Sequence, residues 1–234
     1  MVPMKHLFGS VRQKVMTVLR GKSVYYKRSY SQMAEDMIVS GLLYNSKGFY
    51  VDVGAYHPWR FSNTYHFYRK GWKGINIDGS AEAIKLLQRK RKRDISLQLI
   101  IGPENKTLNF YEFHQRELNT TVSEELPAIL QFHGQKPIRV SEVKCMSLGQ
   151  LLNQYLPSGQ SIDLLNIDAE GADEEIIRSN DWSRYRPKVI IVERHCKLED
   201  FLASDFFKFL GSNDYKIYGF CKHAFILTEE KAPF

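Results

Sequence analysis

The amino-acid sequence predicts an α/β protein built around one doubly wound, mostly parallel sheet. Compact apolar segments alternate with amphipathic segments along most of the chain, and the last two apolar segments are joined by only "CKH". Because so short a connection cannot make a parallel crossover, the final two strands should form an antiparallel pair at the sheet edge. With 234 residues, 43% of them hydrophobic, the chain can bury the core of a single domain.

The N-terminal region is basic and precedes the first strand. In "MKHLFGSVRQKVMTVLR", residues 4–20, apolar side chains recur at helical spacing with Lys and Arg on the other side. We expect residues 1–28 to form a basic amphipathic helical extension and residues 29–234 to form the domain. Such a helix either packs on its own domain or contacts an anionic membrane surface peripherally. The sequence has no secretory leader and no apolar run of about 18 residues, which predicts a cytoplasmic location.

The next segments predict a helix followed by a βαβαβ alternation. The helix is "SQMAEDMIVSGLLY", with Ser31 as its cap. It is followed by strand 49–53, a helix around "NTYHFYRKG", strand "GINID", helix "AEAIKLLQRKRKR" and strand "ISLQLIIG". The basic run Arg89–Arg93 is predicted to be a solvated helix end, favoured by the helix dipole, rather than a nucleic-acid patch.

Residues 103–145 interrupt the alternation. Strand-like "TLNFYEF" and "IRVSEVKCM" flank the polar stretch "HQRELNTTVSEEL", which we interpret as a loop or insertion of the kind that carries substrate contacts. The alternation then resumes with helix "SLGQLLNQYL", strand "IDLLNID", helix "ADEEIIRSN", strand "KVIIVE", helix "DFFKFLGSN" and strands "KIYGF" and "AFILT".

Composition restricts the function only loosely. The three cysteines are an odd number without CxxC spacing, so buried free thiols are favoured over disulfides or a structural zinc site. The net charge of +7 suggests an anionic partner without choosing among nucleic acid, a membrane surface or a phosphorylated substrate.

Acidic residues stand at the ends of several predicted strands. They are Asp52 inside the first strand, Asp78 ending the second, Asp168 and Glu170 after "IDLLNI", and Glu193 ending "KVIIVE". Ligands of open α/β sheets bind at the carboxyl ends of strands, so these acids predict a site there. An acid ending the second strand is suited to accept hydrogen bonds from a ribose diol, which is the role we expect for Asp78.

The turn after the first strand indicates which nucleoside is bound. Only Gly54 is present, and Tyr56 and Pro58 stand where further glycines would bring the backbone against a pyrophosphate. A dinucleotide cofactor, and with it a nicotinamide-dependent oxidoreductase, is therefore disfavoured. A phosphate-free nucleoside with a cationic sulfonium suits a site rich in carboxylates, which favours S-adenosylmethionine.

Three separated segments carry a family resemblance. "YSQMAED", "FYVDVGAYHPWRFSNTYHFYRKGWKGINIDGS" and "IDLLNIDAEGADEEI" together resemble the FkbM-type methyltransferase family over roughly residues 29–195. The resemblance implies a class I (Rossmann-like) methyltransferase fold and S-adenosylmethionine-dependent O-methylation, with sugars of surface polysaccharides or glycosylated small molecules as acceptors. Tyr56 departs from the second glycine of the general class I loop.

The resemblance also assigns residues. It places Asp52, Gly54 and Ala55 under the methionine part of the cofactor, Asp78 at the ribose, and Asp168, Glu170 and Gly171 at the reaction centre. The full expected cofactor-binding set is Asp52, Gly54, Ala55, Tyr56, Asn63, Asp78, Gly79, Ser80 and Asp168.

Methylation of a hydroxyl needs a positioned base or a metal that lowers the pKa of the hydroxyl. The candidates for the base are Asp168, Glu170, His195 and His57. The hard oxygen ligands and imidazole of Asp168, Glu170, Glu193 and His195 could instead hold Mg²⁺ or Mn²⁺. A packing role beside Pro58 is the alternative for His57, and helix capping is the alternative for Glu170.

Two other readings of the function stay open. Aromatic and basic residues interleave in "TYHFYRKGWKG", which would suit an RNA or protein methyltransferase, although their spacing is more typical of a helix core. A non-catalytic glycan-binding scaffold of the same fold is the second alternative. The expected partner is a small-molecule or glycan acceptor, and nucleic acid is disfavoured.

Overall fold

The computed structural model describes residues 27–44, 47–169 and 171–229. The predicted N-terminal helix and Glu170 lie outside the described residues. None of the helices described is long and apolar enough to cross a bilayer.

The predicted alternation of helices and strands is confirmed. In chain order the helices are α1 Glu35–Leu42, α2 Tyr65–Arg69, α3 Ala81–Lys90, α4 Leu126–His133, α5 Leu148–Tyr155, α6 Asp173–Arg178, α7 Leu198–Ala203 and α8 Asp205–Ser212. The strands are β1 Phe49–Val53, β2 Lys73–Asp78, β3 Ile95–Gln98, β4 Ile100–Ile101, β5 Lys106–Glu112, β6 Arg139–Met146, β7 Leu164–Ile167, β8 Val189–Glu193, β9 Tyr215–Cys221 and β10 Ala224–Glu229. Helices α4 and α7 were not predicted.

The main sheet has the predicted doubly wound order. Among the residues described, seven strands pair in the order β3-β2-β1-β7-β8-β10-β9. The first five are mutually parallel, and β10 runs antiparallel to both of its neighbours. The predicted antiparallel pair at the sheet edge is thus confirmed, and the order of the chain reverses between β1 and β7.

Both faces of the sheet are buried, which explains why its central strands are continuously apolar rather than alternating. Val51, Ile75 and Leu165 face one core cluster. Tyr50 and Leu164 face the other, which also contains the buried aromatics Phe67 and Trp72. The aromatic residues of "TYHFYRKGWKG" therefore contribute largely to the core, as their helical spacing indicated.

The insertion forms a small sheet of its own. Strand β6 pairs antiparallel with β5 and parallel with β4, in the order β4-β6-β5. The predicted strand "ISLQLIIG" is consequently divided, because its first part pairs with β2 and its second part pairs with β6. This division carries the chain from the main sheet into the insertion at Leu99.

Helix α1 begins later than predicted, and Ser31 does not cap it. It starts after Ala34, which has φ 67° in the left-handed region. The Ser31 hydroxyl instead donates to Asp36 at 2.9 Å, and Ser29 donates to the same carboxylate at 2.7 Å. The buried acid therefore takes the hydroxyl that the sequence offered as a cap.

The basic run Arg89–Arg93 is not uniformly solvated, contrary to prediction. Helix α3 ends at Lys90, and Arg91 is completely buried. Because Ile84, Leu87 and Arg91 lie at helical spacing, Arg91 continues the buried face of α3.

The guanidinium of Arg91 holds the segment after β1 against the sheet. Its Nε donates to the carbonyl of Pro58 at 2.8 Å, and Nη2 donates to the Ser62 hydroxyl at 2.7 Å. Its Nη1 donates to Thr64 at 2.7 Å and to Asn76 of β2 at 3.1 Å. Each hydrogen bond offsets part of the cost of removing the charge from water.

Replacing Arg91 should destabilise the domain strongly. Arg91→Met leaves the buried Asp52, whose Oδ2 lies 3.9 Å from Nη1, without its cation and leaves several acceptors unpaired. We expect a loss of about 3–5 kcal/mol in the free energy of unfolding, measured by chemical denaturation. Arg89→Met changes an exposed arginine of the same helix and should stay within about 0.5 kcal/mol of the wild type. Equal stability of the two variants would contradict the role given to Arg91.

Candidate active site

A cavity of about 440 Å³ opens at the carboxyl ends of β1, β2 and β7. This is the edge at which the strand-end acids were predicted to meet. The predicted residues that line it are Asp52, Gly54, Ala55, Tyr56, Asn63, Asp78, Gly79, Ser80, Asp168 and Gly171. The structure therefore brings the whole predicted cofactor-binding set together around one cavity.

Gly54 is required at the turn after β1. Its φ of 78° is left-handed, and a Cβ added there would lie 1.8 Å from the carbonyl oxygen of Asp168. The amides of Gly54 and Ala55 both donate to the Ile77 carbonyl, at 2.9 and 3.0 Å. The turn is thus held between β2 and the loop after β7, where no side chain larger than hydrogen fits.

Two aromatic residues beside this turn adopt left-handed backbone conformations. Tyr56 has φ 48° and Phe61 has φ 53°, and both line the cavity. Bulky residues in this region cost roughly 1–3 kcal/mol and cluster at ligand sites. Phe61 keeps 47% of its surface exposed, so its strained position presents an aromatic face to solvent rather than filling the core.

Asp78 ends β2 and organises the cavity wall. Its Oδ2 accepts from the Tyr56 amide at 2.9 Å and its Oδ1 accepts from the Ser80 amide at 2.7 Å. Burial raises the pKa of Asp78, while these two hydrogen bonds oppose the rise. The Ser80 hydroxyl donates to Glu112 of the insertion at 2.6 Å, which joins the main sheet to the insertion at this point.

Beyond Asp78 the wall becomes apolar. A Cβ on Gly79 would lie 2.8 Å from both Ile100 and Phe110, so the glycine lets these two side chains pack closely against the backbone at the cavity wall. The insertion supplies further lining residues, which the sequence pattern did not identify individually. They are Arg116, Asn119, Thr120, Thr121, Val122 and Glu125.

Asp52 is a buried acid that holds other residues of the site in place. Only 2% of its surface is exposed, and its carboxylate accepts hydrogen bonds from Thr64 and from Asn166 Nδ2, the latter at 2.8 Å. Burial raises its pKa, against the opposing effect of the Arg91 guanidinium. The carboxylate of Asp52 therefore belongs to a buried network that positions neighbouring side chains.

The network reaches the cavity through Asn166. Asn63 donates to Asn166 Oδ1 at 2.8 Å, while Asn166 donates to Asp52. Asn166 was missed from the sequence, although a polar residue inside the apolar strand "LLNI" is a signal that could have identified it. Thr64 was missed as well, because nothing in the spacing links it to β1.

His57 does not line the cavity, contrary to the prediction that it borders the site. Its Nδ1 accepts from the amides of Trp59 and Arg60 at 3.3 and 3.1 Å. Burial lowers its pKa, and the nearby Arg60 charge adds to that effect. These contacts correspond to the alternative role, in which His57 stabilises the loop.

Of the other predicted catalytic and metal residues, Asp168 and Glu193 line a neighbouring cleft, whereas His195 does not. Asp168 lines both the cavity and this cleft, which also contains Glu193. His195 Nε2 lies 3.4 Å from Glu193 Oε1. The part of the chain that the structure describes, which excludes Glu170, contains no group of three or more His, Cys, Asp or Glu side chains able to hold a metal ion. A metal site is therefore not assembled from Asp168, Glu193 and His195 alone.

Comparisons with known proteins identify the family. The family model for the methyltransferase FkbM domain matches residues 52–217, more than half of the chain. The chain belongs to the FkbM methyltransferase family. No curated protein matches this FkbM chain.

Solved structures similar to this FkbM chain include three methyltransferases. One is a TehB-like SAM-dependent methyltransferase from Corynebacterium glutamicum, with 9% identity, coverage of 96% of this chain and 98% of that chain, and a TM-score of 0.42. A putative O-methyltransferase from Klebsiella pneumoniae has 11% identity, coverages of 89% and 83%, and a TM-score of 0.46. The O-methyltransferase from Bacillus cereus in complex with SAH has 10% identity, coverages of 97% and 91%, and a TM-score of 0.43.

Asp173 should make stability depend on pH. It accepts from the amides of Ala169 and Gly171, at 3.2 and 3.1 Å, and so shapes the loop that lines the cavity. Burial raises its pKa from 3.8 to about 6. A raised folded-state pKa stabilises the fold at low pH, and this contribution is lost as the pH rises through 6. The free energy of unfolding of the wild type, relative to Asp173→Asn, should fall by about 2–3 kcal/mol from pH 4 to pH 7.

The control for this measurement is Asp181→Asn. The Ser183 hydroxyl lowers the pKa of the partly exposed Asp181 from 3.8. Its contribution to stability therefore changes only at lower pH, and its difference profile should be nearly flat from pH 4 to pH 7. A flat profile for Asp173→Asn would show that Asp173 does not titrate in this range.

Proposed function

We propose that this chain is an S-adenosylmethionine-dependent O-methyltransferase that acts on a hydroxyl group of a sugar, in a surface polysaccharide or a glycosylated small molecule. The observation that carries the proposal is the position of the Asp78 carboxylate, which ends β2 at the wall of a cavity of about 440 Å³. Family membership supports methyl transfer, and the chemistry of the cavity supports the cofactor.

The residues present fit a nucleoside with a sulfonium group. The apolar part of the cavity wall, formed by Gly79, Ile100 and Phe110, suits contact with a flat base. Asp78 would accept hydrogen bonds from the ribose diol of the cofactor. The narrow turn at Gly54 would lie under the methionine part of the cofactor. When bound, S-adenosylmethionine supplies an electrophilic methyl group on a positively charged sulfur.

The charge of the cavity favours this cofactor over a phosphorylated one. Carboxylates of Asp78, Asp168, Glu125 and Glu175 line it together with the single cation of Arg116 among the lining residues described. A sulfonium is stabilised by such carboxylates, whereas a pyrophosphate would be repelled by them.

The chain's own residues would then align the two reactants. The loop from Tyr56 to Asn63 and the loop after β7 face each other across the cavity, and the buried Arg91 network fixes the first of them. Because an in-line displacement depends chiefly on alignment, rigid loops of this kind can supply much of the rate enhancement.

Asp78→Ala should weaken cofactor binding. Loss of charge-assisted hydrogen bonds to the ribose should raise the dissociation constant of S-adenosylmethionine about 10- to 100-fold in calorimetric titration. Asp200→Ala, at an exposed acid, should bind as the wild type does. A thermal unfolding scan of each variant separates loss of binding from loss of fold, since Asp78 also accepts from two backbone amides.

Failure of the wild type to bind would overturn the methyltransferase proposal and favour the scaffold alternative. The same preparation tests the metal hypothesis. Dialysis against a chelator should leave turnover unchanged, and turnover that disappears and returns with Mg²⁺ or Mn²⁺ would establish a metal.

We also propose a cytoplasmic location with peripheral membrane contact through the basic segment 4–20, whose amphipathic pattern suits an anionic surface. The full chain should sediment with vesicles containing anionic lipid and not with neutral vesicles. A chain lacking residues 1–21 should lose this association, and unchanged sedimentation would contradict the proposal.

A further inference from the structure

A small cleft adjoins the cavity on the side of the C-terminal hairpin. The two share Gln32, Phe61, Asn63 and Asp168 as lining residues, so they form one continuous depression. The cleft is lined in addition by Glu193 at the end of β8 and by His223.

The sheet topology explains how His223 reaches this edge. Strand β10 runs antiparallel to β8, and Ala224 pairs with Glu193. The turn between β9 and β10 therefore lies beside the carboxyl end of β8. The Arg194 amide donates to the His223 carbonyl at 2.7 Å, which attaches the turn to the segment after β8.

The imidazole of His223, which lines the cleft, contacts that of His195, which does not line it. The ring centroids of His195 and His223 are 4.3 Å apart with 31° between their planes. The Glu193 carboxylate lies 3.4 Å from His195 Nε2. Glu193, His195 and His223 thus form a group of adjacent polar side chains that reaches the cleft.

The cleft is acidic, although the chain as a whole is basic. Although the net charge is +7, the cleft is lined by the acids Glu35, Asp168 and Glu193 and by one lysine, Lys222. A phosphorylated or carboxylated acceptor would be repelled by these acids. The partly exposed side chains of Phe61 and Met33, which also line the cleft, offer apolar contact to the face of a sugar ring.

We infer that His223 is the base and that the acceptor is an uncharged polyhydroxylated molecule, such as a neutral glycoside, which lies in the continuous depression with one hydroxyl group in this cleft. The cleft alone, at about 30 Å³, has room for little more than that group. The inference rests on the proposed function. As the acceptor oxygen forms a bond to the methyl carbon, the carbon–sulfur bond breaks and its electron pair stays on sulfur, which becomes neutral. The hydroxyl proton passes to the imidazole of His223. His195 is a positioning residue that, with Glu193, stabilises the charge gained there.

Binding can be tested without knowing the natural acceptor. The full chain, labelled in its histidines and saturated with S-adenosylhomocysteine, is titrated with neutral methyl glycosides and with the corresponding uronates while imidazole resonances are followed by NMR. Neutral glycosides should shift the resonances of His223 and His195, with the uronates binding at least about tenfold more weakly, which is the effect of roughly 1.4 kcal/mol of repulsion. Equal or tighter binding of uronates, or no shift of these two histidines, would overturn the inference.

The catalytic assignment is tested with a glycoside that supports turnover. His223→Gln should lower kcat about 100-fold or more, as expected for loss of a general base, with the dissociation constant of S-adenosylmethionine unchanged. Glu193→Gln should lower kcat by a smaller factor and leave the KM of the glycoside nearly unchanged, because it removes the charge that stabilises the imidazolium formed during the step. His133→Gln, at an exposed histidine of α4, should match the wild type. A kcat for His223→Gln within threefold of the wild type would overturn the assignment.

The outcomes separate this inference from the proposed function. If the chain binds S-adenosylmethionine but no neutral glycoside is methylated, the acceptor inference falls and the cofactor proposal stands. If S-adenosylmethionine does not bind, the proposed function itself falls.

Discussion

The burial of one guanidinium group is the constraint on which the rest of the site depends. Arg91 has no exposed surface, and a charge in that position is tolerated only where hydrogen-bond acceptors surround it. Those acceptors come from the segment after β1 and from β2. Satisfying the arginine therefore requires the segment after β1 to fold down on the sheet, and this same segment carries the strained Tyr56 and Phe61 to the cavity.

A second constraint comes from the strand order. The reversal between β1 and β7 opens a crevice at the carboxyl ends of the strands, which is where ligands of this class of sheet bind. Because β10 is antiparallel to β8, the turn between β9 and β10 lies at the sheet edge where the parallel strands have their carboxyl ends. In consequence, polar groups of the last hairpin line the cleft that adjoins the cavity.

Much of the fold follows from local pattern. The central strands are largely apolar, acids stand in or at the ends of several of them, and the short "CKH" connection dictates the antiparallel pair. What could not be predicted depends on partners distant in sequence. Strand "ISLQLIIG" divides because its two parts pair with two different strands, and the oxygens of Asp52 are held in a buried network because Thr64 and Asn166 donate to them.

The burial of Arg91 was only partly predictable from the sequence. Its helical phase with Ile84 and Leu87 was present in the sequence, yet five consecutive basic residues resemble a solvated surface because lysine and arginine are rarely buried. The helical spacing of a basic residue identifies it as buried only when the hydrogen-bond acceptors that compensate its charge are known. For Arg91 these acceptors belong to other elements of the fold. The outcome at Ser31 is similar, since a buried acid five residues away takes the hydroxyl that would otherwise cap α1.

The pairing of β1 with β7 has a consequence for how the molecule is made. The hydrogen bond from Asn166 to Asp52 joins residues separated by 114 positions, so β1 keeps an open edge until β7 has left the ribosome. A nascent chain that ends before β7 exposes an apolar strand edge of the kind that pairs with other chains. The floor of the ligand cavity is therefore completed late in synthesis, and contacts this distant in sequence are slow to form.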